Sequence, residues 1–198
     1  MRDDCPLCLA VRSPATQRDR TPHENTPLKV SASFVLLPSV GPLVPGHAII
    51  VSRQHSLSLA AMGTDAVREY EEFVREIRRG EADWLEAEHG ATADDRSGAC
   101  VTHTHVHLIP GMARFDEIFD DVIPELYRGD RLAFPTGNVP YLLLRGGRLT
   151  RVFVATDLPS QLLRQTICSA LARDDWDWRS LPRDHMLAET IEFWRQRG

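Results

Sequence analysis

Apolar residues recur at three- and four-residue spacing from Val67 through Tyr70, Phe73, Val74 and Ile77, with charges filling the positions between them. That period predicts an amphipathic helix from Thr64 to Glu88, opened by Thr64-Asp65 as cap and first-turn acid. Gly80 is expected to kink or divide it. Val30 to Leu37 is a compact apolar run ended by Pro38 and the Gly/Pro-rich stretch to Gly46, and His47 to Ser52 is a second such run. Both predict strands, paired as an antiparallel hairpin. Two polar stretches, Ala10 to Lys29 and Ala91 to Gly98, predict loops. Downstream, Met112 to Asn138 mixes short helical patterns with turn signals. Tyr141–Leu144 and Val152–Ala155 predict two strands joined around Gly146-Gly147, and Pro159–Ala172 and Asp184–Gln196 predict helices.

Between these elements lies a segment with another pattern. Val101 to Pro110 reads Val-Thr-His-Thr-His-Val-His-Leu-Ile-Pro, placing His103, His105 and His107 at alternate positions. A strand sends every second side chain to one face, which sets three imidazoles in a row, about 7 Å between successive ones. The chain has eight histidines in all, and three at this spacing point to chemistry.

The four cysteines are Cys5, Cys8, Cys100 and Cys168. Cys5-Pro-Leu-Cys8 favours metal binding, with a redox pair as the alternative, and needs two further ligands. Cys168, among apolar residues at helical spacing, reads as core. With 198 residues, 42% hydrophobic and 26% charged, the chain reads as one soluble domain with appendages. The net charge of -5 provides no basic field to favour nucleic acid. No apolar run approaches the roughly 20 residues of a membrane span, and the polar opening Met-Arg-Asp-Asp does not read as a signal peptide. A cytoplasmic location without nucleic-acid or membrane partners is expected.

Three motifs in order, Cys5-Pro6-Leu7-Cys8, Pro45-Gly46-His47 through His55, and His103-Thr104-His105-Val106-His107 through Pro110, resemble the histidine triad superfamily, in its zinc-containing form. The resemblance covers residues 1–112. It implies an α+β fold, an antiparallel sheet of about five strands with a long helix packed on it. Residues 1–112 would form the catalytic domain and residues 113–198 a C-terminal α/β extension packed on it. The implied activity is transfer or hydrolysis at the α-phosphorus of a nucleotide through a covalent nucleotidyl-histidine. A nucleotide-type small molecule is the expected partner, and a homodimer is an assembly many relatives adopt.

His105 matches the family nucleophile, and neutral imidazole is a good nucleophile toward phosphorus near neutral pH. His107 and His47 match positions that donate to the phosphoryl oxygens. Cys100 stands where many members carry a Ser that serves the leaving group. A thiol is a weaker donor, and a small packing residue is the alternative. Eight positions before His47, where nucleotide-binding relatives often place a ribose-binding acid, the chain has Ser39 and no carboxylate. His89 is either a further phosphate donor or a helix-terminal histidine followed by the cap Gly90. His55 and His103 complete Cys5 and Cys8 as a closed Cys2His2 set for a structural zinc.

Further along, Gln161 and Arg164 share a helix face. They either reach the substrate or decorate the surface. Trp176, Trp178 and Phe193 read as packing the tail onto the core or as a base-stacking cleft.

The leading reading is a nucleotide hydrolase acting on an ester, anhydride or phosphoramidate. A nucleotidyltransferase or phosphorylase would share the first half-reaction, and a non-catalytic nucleotide-binding module is a third reading. A catalytic metal on all three triad histidines ranks last, because it consumes the nucleophile and leaves the cysteines unexplained.

Overall fold

The computed structural model describes residues 2–12, 26–96, 98–114, 119, 123–180 and 184–197. The connection expected from Ala10 to Lys29 therefore lies, over 13–25, outside the described residues. Helix α1 (Pro6–Arg12) is followed by β1 (Lys29–Val30), β2 (Phe34–Pro38), β3 (Ala48–Ser52) and a 3-10 turn (Leu59–Met62). Then come α2 (Thr64–Arg78), β4 (Trp84–Gly90), β5 (His105–Pro110), β6 (Glu125–Gly129), β7 (Tyr141–Gly146) and β8 (Leu149–Val154). Two helices close the order, α3 (Leu162–Ala170) and α4 (Asp184–Arg195). The architecture is α+β with one antiparallel sheet, in the order β1-β2-β3-β5-β4-β7-β8-β6. The sheet has eight strands where about five were expected, because β7, β8 and β6 continue it beyond β4.

The hairpin of β2 and β3 forms in the expected place, Phe34 opposite Ser52 and Pro38 opposite Ala48. The long helix does not reach Glu88. It ends at Arg78, where Arg79 turns left-handed (φ 49°) and Gly80 follows at φ 81°. Trp84–Gly90 is instead a fully buried strand between β5 and β7. Its Glu-Ala-Glu content favours a helix locally, and pairing on both edges overrides that preference. Two carboxylates enter the interior as a result. Glu86 accepts from Tyr70 Oη (2.7 Å) and pairs with Arg78 Nη1 and Arg145 Nη2 (both 2.8 Å). Glu88 accepts from Tyr141 Oη (2.5 Å) and the Leu59 amide (2.8 Å).

Strand alternation gives the central sheet two faces. One packs Leu36, Ile50, Val106 and Leu108 against Tyr70, Phe73, Val74 and Ile77 of α2, with Trp194 of α4 in the same cluster. The other carries α1 over Val35, Leu37, Ile49 and Val51. On that second face α3 packs Leu163, Ile167 and Cys168 with Leu85, Ala87, Ile109, Leu142 and Phe153. The histidines of β5 face this second side, between the two helices. No described helix is long and apolar enough to cross a membrane.

Candidate active site

β5 is central, with His107 paired to Ile49 on one edge and Ala87 on the other. This holds His105 and His107 on a stiff element, their rings 5.4 Å apart. His103 does not share their row. The strand begins at His105, and the bend at residues 101–103 sends the His103 side chain into the interior. Three histidines at alternate positions thus divide into a pair and a single residue.

Each ring in the pair is oriented by one hydrogen bond. His105 Nδ1–H donates to the His103 carbonyl at 2.6 Å, leaving Nε2 with the lone pair. His47 is fully buried, and its Nδ1 accepts from the Leu43 amide at 3.0 Å. Its Nε2–H therefore donates to His107 Nδ1, 3.0 Å away, which makes His107 Nε2 a donor. A backbone amide has set two tautomers in series. Burial keeps His105 below its usual pKa, opposed by its bond to the carbonyl. Burial pushes His107 well below, and the Arg164 guanidinium acts in the same direction.

His105 and His107 line a cleft with His89, Cys100 and Ser39. His47 lies behind His107 and is absent from the cleft wall. His89 reaches the cleft from β4, so it is a strand residue and not the end of a helix. Ser39 is buried at the end of β2, its amide donating to the His47 carbonyl at 3.1 Å. Cys100 is half-exposed rather than packed in the core, with Sγ 3.3 Å from Ser160 Oγ.

The opposite wall comes from the C-terminal part of the chain. Helix α3 starts at Leu162, later than expected, so Gln161 is its N-cap in a left-handed conformation (φ 64°). Gln161 and Arg164 are buried and line the cleft, contrary to a surface role. Gln161 Nε2 donates to Asp177 Oδ1 (3.0 Å). Arg164 Nε donates to the Trp176 carbonyl (2.8 Å) and Nη1 to the Gly41 carbonyl (2.7 Å). Trp178 also lines the cleft, whereas Phe193 packs on Trp84 and Trp194. The close approach requires glycine at position 41, where a Cβ would sit 2.4 Å from Trp178 Cβ. Sequence reasoning missed Gly41; its place in the Gly/Pro-rich connection between β2 and β3 was the available signal.

Behind His105, Cys5, Cys8, His55 and His103 bring four donor atoms within 4.8 Å of one another. His103 Nδ1 lies 3.4 and 3.5 Å from the sulfurs of Cys5 and Cys8, and His55 Nδ1 lies 3.4 Å from Cys8. A tetrahedral zinc spaces sulfur and nitrogen about 3.6 Å apart, so the geometry fits such an ion. His103 Nε2–H donates to the Ser52 carbonyl (2.8 Å), turning the Nδ1 lone pair toward the sulfurs. The Arg2 amide donates to Cys8 Sγ (3.4 Å). Burial brings His103 down to about 4, a further sign of an imidazole kept neutral.

No protein-family model and no curated protein matches the sequence. Solved structures do. They include a hypothetical histidine triad nucleotide-binding protein from Sulfolobus tokodaii, at 19% identity over 55% of this chain and 69% of that one, with a TM-score of 0.42. A zinc-bound histidine triad family protein from Mycobacterium smegmatis matches at 18% identity over 54% and 74%, with a TM-score of 0.40. Yeast Ap4A phosphorylase Apa2 matches at 11% identity over 69% and 62%, with a TM-score of 0.45. The chain is similar to histidine triad proteins, the family its motifs resemble.

Proposed function

We propose that this protein is a nucleotide hydrolase of the histidine triad type, working through a nucleotidyl-His105 intermediate. The observation that carries the reading is the His105 Nδ1–H bond to the His103 carbonyl, which leaves Nε2 as the lone-pair nitrogen of a residue lining the cleft. In the first step Nε2 forms a bond to the α-phosphorus as the bond from phosphorus to the leaving group breaks. The positive charge on His105 is stabilised by the carbonyl at Nδ1. His107 Nε2–H donates to a phosphoryl oxygen, and His47 is a positioning residue that fixes the His107 tautomer. His89 is a second phosphate donor, and Cys100 and Ser39 line the substrate's path. In the second step water attacks phosphorus, the N–P bond breaks, and nucleoside monophosphate and neutral His105 are released.

A zinc ion held by Cys5, Cys8, His55 and His103 is structural in this reading. It supplies cross-linking and no reactive position, since four protein ligands close its shell.

The test is monophosphate release from a panel of nucleoside phosphoramidates, dinucleoside polyphosphates and nucleotide sugars. Wild type is expected to release monophosphate from at least one class, and His105→Ala from none. Equal release by both proteins overturns the reading.

A further inference from the structure

Gln161 carries a buried oxygen that no described residue uses. Its Nε2 donates to Asp177 Oδ1 at 3.0 Å, and that bond settles which way the amide lies. The Asp177 carboxyl is held below its usual pKa, first by Gln161 and then by Ser180 and the Arg179 amide. It is therefore ionised and accepts only, so the nitrogen must face it. Oε1 is the other arm of the same planar group, buried and without a hydrogen-bond partner among the described residues. Buried acceptors left in this state are uncommon and cost stability.

The place of Gln161 in the cleft says what would use that oxygen. The residue is 6% exposed and lines the cleft, whereas Asp177 does not. The amide thus turns its nitrogen out of the cleft and keeps its oxygen on the cleft side. Arg164, three residues further along, lines the same wall, and its charge is felt at His107. Gln161 therefore stands toward the reacting end. Among the described residues that line the cleft there is no carboxylate. Leu7, Val40, Ile49, Leu163 and Trp178 make much of the rest apolar.

A nucleotide offers three kinds of group to such a wall. Ionised phosphoryl oxygens accept only, and Oε1 repels them. The base suits the apolar stretch. The sugar hydroxyls, next along from phosphorus, are neutral donors, and they match a neutral acceptor.

We propose that Gln161 is a specificity-determining residue of the cleft, its Oε1 accepting a hydrogen bond from a hydroxyl of the nucleoside sugar. An acceptor already out of water has no hydration to lose when the donor arrives, which strengthens the bond. The substrate class narrows to nucleotides whose sugar keeps a free 2′ or 3′ hydroxyl. Residue 161 lies outside the segment that resembles the histidine triad motifs. One part of the chain supplies the reacting imidazoles, and the other reads the sugar.

This inference rests on the nucleotide reading above, and the experiment separates the two. Calorimetry on the full chain measures binding of adenosine, guanosine, cytidine and uridine 5′-monophosphates and of their 2′,3′-dideoxy counterparts. Wild type is compared with Gln161→Met, which has similar length and no acceptor oxygen. Wild type is expected to prefer the ribose form of at least one base by roughly tenfold to a hundredfold. Gln161→Met is expected to keep about threefold or less of that preference, with affinity for the dideoxy form within about threefold of wild type.

Gln161 is left-handed (φ 64°), so a second variant guards against a failure of Gln161→Met to fold. Asparagine tolerates that backbone, and Gln161→Asn withdraws the oxygen by one methylene. It is expected to lose the preference in the same way. A wild type indifferent to the sugar, an unchanged preference in the folded variant, equal weakening of both forms, or a change confined to the choice of base overturns the role of Gln161. Each of these leaves the nucleotide reading standing. Wild type that binds none of these compounds and releases no monophosphate overturns both.

Discussion

His103 and His105 are two residues apart, yet opposite ring nitrogens are tied down in the two. His103 donates from Nε2 to the Ser52 carbonyl and turns Nδ1 toward two sulfurs. His105 donates from Nδ1 to the His103 carbonyl and keeps Nε2 for the cleft. The first arrangement suits a metal ligand and the second a nucleophile, so a backbone carbonyl decides the work of each imidazole. The groups are also joined, since the residue that would hold the ion supplies the carbonyl that orients His105. Metal should therefore matter to the site mechanically while taking no part in bond making.

The sharpest way to divide the two groups is to remove one member of each. His105→Ala is expected to lower turnover about a thousandfold or more with the melting temperature nearly unchanged. Cys8→Ser should behave in the opposite way. It is expected to lose zinc by metal analysis and roughly 10 °C of melting temperature, with a smaller loss of turnover. A full zinc complement in Cys8→Ser would break the comparison, as would a collapse of stability in His105→Ala.

A smaller effect tests the chain of tautomers. His47→Leu removes the donor to His107 Nδ1 and the acceptor for the Leu43 amide. Its kcat is expected to fall tenfold to a hundredfold, on the order of the loss for an orienting hydrogen-bond partner, with KM changed much less. A KM effect alone would place His47 in substrate binding instead.

The smallest effect is in pH. His107 is held below its unfolded value, so the folded protein takes up protons less readily than the unfolded chain. It contributes stability that is present above pH about 6.5 and is lost as pH falls below that. Glu88, on the other face of the sheet, has the reverse sign. Burial raises its carboxyl to about 7, against the bonds from Tyr141 and Leu59 that lower it. It costs stability progressively as pH rises from about 4.5 to about 7, at most roughly 3 kcal/mol. Thermal melts of Glu88→Gln are expected to match wild type near pH 4 and to gain on it by pH 8. No gain at pH 8 would remove the raised carboxyl from the account.

What the sequence conveyed followed the range of the interaction. The β2–β3 hairpin, the apolar face of α2, Cys5 with Cys8 and the alternating histidines are local patterns, and all were legible. Trp84–Gly90 was not, because helix-favouring Glu86, Ala87 and Glu88 are held in a strand by partners far along the chain, Arg145 and Tyr141 among them. His89 was misplaced with them. The burial of Gln161 and Arg164 was likewise hidden, since it depends on carbonyls at Trp176 and Gly41 that only the fold brings near. His103 left its expected row because its side chain packs with thiols at the other end of the motif region. The sequence showed the spacing, and the cysteines decide the direction.

The central claim is that His105 Nε2 becomes bonded to phosphorus. The most direct measurement is intact-mass spectrometry of wild type quenched within milliseconds of mixing with a nucleoside phosphoramidate, followed by peptide mapping. The account predicts a nucleotidyl adduct on the peptide bearing His105, absent from His105→Ala. Turnover in wild type with no adduct, matched by undiminished turnover in His105→Ala, would contradict it.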